Sequence, residues 1–493
     1  MGHRTSEEIQ GNILAPFNKP HQMFLFLSFR NDQEGARRWL AAITGGDRIA
    51  TTRAVAEHND EFKAKRAEAG ADQPRQTWMG VGLTSWGLVT LHPELAADLV
   101  AFEAFWRGPL VGGTDEDGNW TASAALVGGE EQSDPRGWVV GGPGQEPVDA
   151  LVTIAADHRE DLRERVEAER RQAEQAGLAV LELRLPDGGS APGQRGAVLR
   201  GPHGGVEHFG FKDGISQPGV RGFTESTTFN HGRWESKDRP GSPIIATGEF
   251  VLGYPGERGS YPRARRPEPP GWMRDGSFQV FLRLTQDVAG WFEQMERLGG
   301  ALAEDVAAKA IGRRHDGTAL APGGGGRGAN DFDFAKDPEG DHTPRFAHIR
   351  KVNPRDNRVF NDRTHRVLRR GIPFGPRFQP DQAGAGDQDA ERGLLLNAFM
   401  ASIADQFEFV QRWAGSSRSV PAGAEGDAGE PAADGPDPLI GASSGPCVLR
   451  RQGEEPVQLD LRRFVRTTGA VYAFTPSLLA LRRLAGGQPM REG

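Results

Sequence analysis

The stretch Gly210-Phe211-Lys212-Asp213-Gly214-Ile215-Ser216-Gln217-Pro218-Gly219 sets one carboxylate between glycines, with an aromatic ahead of it and a proline behind. Glycine opens backbone conformations closed to other residues and lets a ligand come close to the main chain. Proline fixes the way out of the turn. Such a loop can hold an acid rigidly over a flat ligand, although an ordinary Asp-Gly turn reads the same in isolation. A second segment gives the loop its meaning: His348-Ile349-Arg350-Lys351-Val352-Asn353-Pro354-Arg355, followed by Leu368-Arg369-Arg370-Gly371-Ile372-Pro373-Phe374-Gly375.

Together these segments resemble the dye-decolorizing peroxidases, a family of haem enzymes. That family carries a Gly-x-x-Asp-Gly loop, a His-x-Arg-x-x-Asn-Pro-Arg stretch and an Arg shortly before a Pro-aromatic-Gly, and all three stand here in that order. Glu8-Ile9-Gln10-Gly11-Asn12-Ile13-Leu14 adds a fourth match, so the resemblance runs over about residues 9–484. It implies an α+β fold of two ferredoxin-like domains with antiparallel sheets, in a dimeric α+β barrel-like architecture with haem in the C-terminal half. The boundary is expected between Arg221 and Phe250, giving a domain of residues 1–225 that ends in the acidic loop and a haem-binding domain of residues 226–493.

The resemblance also implies roles. Of the twelve histidines, His348 alone stands in the family context and would be the axial metal ligand, with His208 the competing candidate. Asp213 would be the distal acid–base group, moving a proton from the inner to the outer oxygen of peroxide. Arg369 would be the distal cation that polarises the peroxide and borders the cofactor. Gly214, Ile215 and Ser216 would lie over the porphyrin edge, and Asn353, Pro354 and Arg355 would touch the cofactor, with Arg355 and also Arg350 facing a propionate. Asp405 is favoured over Glu408 as the carboxylate behind the axial histidine.

The cofactor expected is one heme b per chain. The reaction expected is reduction of hydrogen peroxide coupled to one-electron oxidation of organic donors, dyes and phenolics among them. Two rival readings remain. A haem-binding or iron-releasing protein with incidental peroxidase activity would need neither Asp213 nor Arg369. A manganese-oxidising variant would need surface carboxylates near a propionate. Phe374 stands where fungal members have a tyrosine, so a phenol relay to the surface is missing and Phe374→Tyr is expected to restore it. Trp272, Trp291 or Trp413 would otherwise have to substitute.

Composition bounds the alternatives. A length of 493 residues calls for two domains or a duplicated one. A formal charge of −8 argues against a nucleic-acid binder. The lone cysteine, Cys447, rules out an internal disulfide and a cysteine-based metal cluster. The first residues carry no apolar leader, and no apolar run is long enough to span a bilayer, so a cytoplasmic protein without membrane partners is expected. Small aromatic donors and hydrogen peroxide are the expected partners, and a homo-oligomer remains open. The glycine-rich stretch 321–328 and the Ser-, Pro-, Ala-, Gly- and acid-rich stretch 416–435 read as surface insertions without function.

Periodicity gives a coarse element order. Strands are expected over 23–29, 78–81, 88–91, 151–154 and 178–185, with a helix opened by Asn31 and Glu34 and a second capped by Asp157. That is a βαββαβ unit with insertions. A second unit follows: Phe278, Val280, Leu282 and Leu284 alternate as a strand, and Val288, Phe292, Met295 and Leu298 recur at helical spacing. A strand over 394–399, a helix carrying Ile403, Phe407, Val410 and Trp413, a strand over 464–474 and a helix over 477–483 complete it.

Overall fold

The computed structural model describes residues 2–46, 48–68, 74–110, 133–185, 188–202, 204–230, 233–257, 266–355, 362–378, 390–415, 434–440 and 445–490. One antiparallel sheet runs through the molecule. Its strands are β1 (His21–Ser28), β2 (Thr77–Leu83), β3 (Ala150–Ala156), β4 (Ala179–Val180), β5 (Gln194–Ala197), β6 (Ser277–Gln286), β7 (Leu368–Arg369), β8 (Ile372–Phe374), β9 (Gly393–Met400) and β10 (Val465–Thr475). The order across the sheet is β7-β9-β6-β10-β2-β3-β1-β4, with β8 also on β9 and β5 also on β1.

That order contains two ferredoxin-like units side by side. In the first, the strands stand β4-β1-β3-β2; in the second, β10-β6-β9 with the β7 and β8 pair repeats the pattern. The units meet where β2 pairs β10 through Leu83 and Phe474. Gln10, fully buried, crosses this seam: its Nε2 donates to Val81 O at 2.9 Å and Pro476 O at 2.8 Å, and its Oε1 accepts from Val81 N at 2.9 Å.

The strands carry long apolar runs because both faces of the sheet are covered. On β1, Leu25 and Leu27 join the helix-covered core with Trp39, Leu40 and Leu162, whereas Phe24 and Phe26 join a second cluster with Phe281, Phe374 and Leu395. The covering helices include α1 (Gln33–Thr44), α2 (Thr52–Ala67), α3 (Ser85–Leu91), α4 (Arg159–Gln175), α5 (Val288–Gly299), α6 (Ala303–Ile311), α7 (His348–Val352), α8 (Phe409–Gly415) and α9 (Leu478–Ala485). Among the described residues no helix is long and apolar enough to cross a membrane.

Several local expectations are corrected. Residues 88–91 are helical, not extended, because Thr84 caps α3 by accepting from Gly87 N and the Leu88/Leu91 pair then faces the core. The cap of α1 is Asp32, which accepts from Gly35 N at 2.8 Å, rather than Asn31. Asp157 does not cap α4; it binds Lys19 Nζ at 2.6 Å and Gln76 N at 2.9 Å. The run 178–185 splits into two strands of two residues. In the glycine-rich stretch Ala321 is buried with Phe332 and Phe334, so this segment builds part of the interior. The stretch 416–433 lies outside the described residues, and Asp434 at its end is a buried ion-pair partner of Arg345 and Arg450, both at 3.1 Å.

Candidate active site

A cavity of about 300 Å3 lies over the second unit. Its sheet wall is built by register. Leu282 pairs Leu396, Leu284 pairs both Leu394 and Thr467, and Gln286 pairs Val465, and all seven side chains line the cavity. The β6–β10 ladder shifts register between Arg283 and Leu284, a bulge of the kind that re-aims side chains beside functional sites.

His348 opens α7, and its neighbours on the turn fasten it. Arg350 is buried, donates to Thr343 O at 2.7 Å and lies over the Phe334 ring at 4.7 Å. Lys351 lies over the Trp413 indole at 5.4 Å, and burial pushes its ammonium down to about 8. Arg350 therefore turns away from the cavity and is not placed to face a propionate. His348 does line it, and its Nδ1 stands 2.8 Å from Asp437 Oδ2. Asp437 is itself fixed: Oδ1 accepts from Leu439 N at 2.8 Å and Ile440 N at 3.1 Å.

Asp405, expected behind the histidine, is elsewhere. Its Oδ2 accepts from Arg266 Nε at 2.8 Å, and Arg266 also pairs with the buried Glu249 at 2.9 Å. The cause is a π-helical turn over Ile403–Glu408, whose i→i+5 bonding alters the angular spacing expected of an α-helix. Glu408 instead accepts from the buried Tyr472 hydroxyl at 3.3 Å. Phe407, Val410 and Gln411, from the π turn and α8, still reach the cavity wall.

The acidic loop forms another wall. Gly214 has φ +75°, a conformation that favours glycine, and a side chain built on it would point into open space. Its N–H donates to Asp213 Oδ1 at 2.6 Å. Arg369 on β7 is tied to the same loop: Nη2 donates to Ser216 O at 2.8 Å, Gln217 Nε2 donates to Arg369 O at 2.9 Å, and Nη1 stands 3.9 Å from Asp213 Oδ1. Gly214, Ile215, Ser216 and Asn353 line the cavity with Asp213 and Arg369. Arg355 lines it too, with φ +56°; its guanidinium donates to Asn330 O at 2.8 Å and Phe332 O at 2.9 Å, bracing the wall. Pro354 is buried behind that wall.

The second arginine of the pair acts differently from the first. Arg370 donates to Asn12 O and Ile13 O, both at 2.7 Å, and to Leu14 O at 3.3 Å. The N-terminal motif is thus the seat of Arg370, next to the residue that faces the cavity. His208 is not at the cavity; its Nε2 stands 2.7 Å from Phe374 O, and burial pushes the imidazole down to about 4. Phe374 is also away from the cavity, under the Arg283 guanidinium at 4.5 Å.

These residues suit haem. The disc is apolar over most of its area, and Leu282, Leu284, Leu394 and Leu396 offer it an apolar wall. Asp437 leaves the Nε2 of His348 as the ring nitrogen available to iron. Lys212, Arg366 and Arg463 border the same space and suit propionates, whereas the buried Arg313 guanidinium is taken up by Gly317 O, Ala329 O and Asn330 Oδ1. Sequence reading missed Asp437, whose local signal is no more than an aspartate between two prolines, and it missed Arg366 and His365 in the wall.

Comparison with known proteins agrees with the geometry. Residues 262–420 match the family model for the C-terminal part of Dyp-type peroxidases. The chain is 30% identical over 510 aligned positions to the multifunctional dye peroxidase DyP2 of Amycolatopsis sp., spanning 97% of this chain and 95% of that protein. It is 25% identical over 504 positions to the dye-decolorizing peroxidase of Exidia glandulosa, spanning 97% and 86%. The Dyp-type peroxidase of Anabaena sp. superposes with a TM-score of 0.72 at 24% identity over 97% of this chain and 94% of that one. The fungal enzyme of Auricularia auricula-judae gives 0.71 at 22%, over 98% and 100%. The fold and the relatives together define a peroxidase. The chain belongs to the dye-decolorizing peroxidase family, whose peroxidases depend on haem.

Proposed function

We propose that this chain is a heme b peroxidase that reduces hydrogen peroxide and oxidises organic donors, dyes among them, in one-electron steps. The observation that supports the reading is one cavity lined by His348, which Asp437 backs at 2.8 Å, and by the Asp213–Arg369 pair. Bound haem would supply the redox chemistry that couples peroxide reduction to donor oxidation. His348 would hold its iron through Nε2, the ring nitrogen that Asp437 leaves free. Asp213 takes the proton from the inner oxygen of hydrogen peroxide and returns it to the outer oxygen, which leaves as water. Arg369 places positive charge beside the oxygen on which negative charge develops. Gly214 brings bare backbone to the cofactor edge.

The distal pair favours this reading over haem storage or iron release, for which an acid and a cation beside the peroxide site have no use. The test is an absorption spectrum of the haem-reconstituted protein before and after peroxide. One Soret band per chain that shifts with peroxide is expected, and His348→Ala is expected to lose it. An unchanged spectrum and affinity in His348→Ala, with loss in His208→Ala, would overturn the axial assignment.

A further inference from the structure

Glu207 stands at the root of the loop that carries Asp213 and lines the same cavity. Its backbone closes a tight turn: Glu207 N donates to Phe211 O and Gly210 N donates to Glu207 O, both at 3.0 Å. Its side chain folds into that same turn. Oε2 accepts from Phe209 N at 2.9 Å and from Gln286 Nε2 at 2.8 Å, and Oε1 accepts from Phe211 N at 3.0 Å. Three N–H donors therefore converge on one carboxylate. The flanking residues are held as well, His208 by Phe374 O at 2.7 Å and Phe209 by stacking on Trp291 at 4.6 Å. Lys212 and Asp213 leave this clamp directly.

We propose that Glu207 is the positioning residue of the distal loop: its carboxylate is the template on which the turn aiming Asp213 is built, and its charge tunes how readily Asp213 holds a proton. The inference rests on the reading of Asp213 as the proton-moving group. Desolvation in the cavity wall, with a smaller push from Asp213, raises the Glu207 carboxyl to about 7 against the pull of its N–H donors. The charged and titratable groups sharing the cavity are Asp213 and Lys212 on its own loop, Arg313 after α6, Arg463 ahead of β10, His348 and Arg355 on and after α7, and His365, Arg366 and Arg369 on and before β7; Gln286 on β6 is neutral. Arg392, whose carbonyl accepts from Gln286 N at 2.9 Å, bears on His208. A proton on Glu207 turns one acceptor oxygen into a hydroxyl facing an N–H, which breaks one bond of the clamp. It also removes a negative charge near Asp213 and so favours the ionised form of Asp213.

Stopped-flow mixing of the holoenzyme with hydrogen peroxide, across acid to neutral pH, tests this. Wild type should show an inflection near neutrality in its activation rate. Glu207→Gln should lose the neutral inflection while keeping its haem content. A Glu207→Gln profile superimposable on wild type overturns the proposal. If Glu207→Gln fails to fold, Glu207→Asp decides: the carboxylate is kept but withdrawn by one methylene, so an inflection retained with activation slowed about tenfold supports the template. Wild-type rate and profile in Glu207→Asp overturn it. Asp213→Asn separates the two readings. Unchanged activation there removes the distal-acid role itself, whereas slowed activation beside an unaltered Glu207→Gln profile removes the Glu207 role alone.

Discussion

Asp437 Oδ2 lies 2.8 Å from His348 Nδ1, and the Asp437 side chain is wholly closed to solvent. A carboxylate only accepts, so the imidazole donates, its hydrogen resides on Nδ1, and the Nε2 lone pair is left for the cavity. The same contact makes the ring a stronger electron donor. Residue 437 falls beyond the segment 262–420 that matches the family model, so the proposed ligand and its support come from separate parts of the chain.

Asp437→Asn should therefore weaken haem binding by about 10–100-fold and raise the reduction potential of the iron. The measurements are a haem titration by absorbance and a spectroelectrochemical titration. Wild-type affinity and potential together would show that Asp437 serves packing alone.

Arg369→Leu should slow peroxide activation by about 100-fold with haem content intact, because the guanidinium acts on developing charge and does not hold the cofactor. Stopped-flow absorbance reads the rate and a pyridine haemochrome assay reads the content. Unaltered activation would leave the task to Asp213.

Arg370→Ala should behave as a stability variant. Three carbonyls of the N-terminal segment lose their donor, and burial already pushes this guanidinium down to about 9. A loss of about 2–4 kcal/mol in urea unfolding is expected. Activation should fall less than in Arg369→Leu; an equal fall would contradict the separate roles of the two arginines.

His208 gives a pH dependence with a definite sign. Its imidazole is held neutral, with the folded value at about 4 against an ordinary 6.5. The unfolded chain takes up this proton first, so the stability His208 contributes is present above about pH 6.5 and is lost as pH falls toward 4. The loss amounts to about 3 kcal/mol. Glu207 acts in the opposite sense, losing stability as pH rises through about 7, so single variants are needed. Melting temperatures of His208→Gln across that window should slope less than those of wild type; parallel slopes would refute the assignment.

Phe374 alters the expectation drawn from its tyrosine counterpart. The ring is buried beneath Arg283, itself paired with Glu391, and a cation over an aromatic face opposes removal of an electron from it. Phe374→Tyr should leave turnover of a large anthraquinone dye, relative to a small phenol, unchanged. A selective gain for the large dye would show that the hydroxyl finds a proton acceptor there.

Much of the site was legible because its residue types sit in short motifs: Asp213 between glycines, His348 ahead of Asn353-Pro354-Arg355, and Arg369 ahead of Pro373-Phe374-Gly375. The strands β1, β6, β9 and β10 were legible from apolar runs that two covered faces require. Residues 88–91 were not, since a short Leu-Val-Thr-Leu run suits strand and helix alike and the Thr84 cap decides between them. Asp437 was not, because 89 residues separate it from His348 and its contact is purely tertiary. Asp405 misled because an α-helical spacing was assumed where the chain forms a π turn. Glu207 was passed over because two of its three donors are backbone N–H groups, which have no side-chain signature, and the third, Gln286, is a purely tertiary partner.

The last strand among the described residues stands mid-sheet: β10, a member of the second unit, lies between β6 and β2 and makes the strand pairing that joins the two units. During vectorial synthesis the first unit can therefore pair its own strands early, but β6 and β2 keep open edges until residues 465–475 emerge. Open edges template pairing with other chains, so a ribosome stalled shortly before β10 would present two aggregation-prone borders. Val465 and Thr467 on β10 also complete the cavity wall. The wall of the cavity is therefore complete only once β10 has paired with β6.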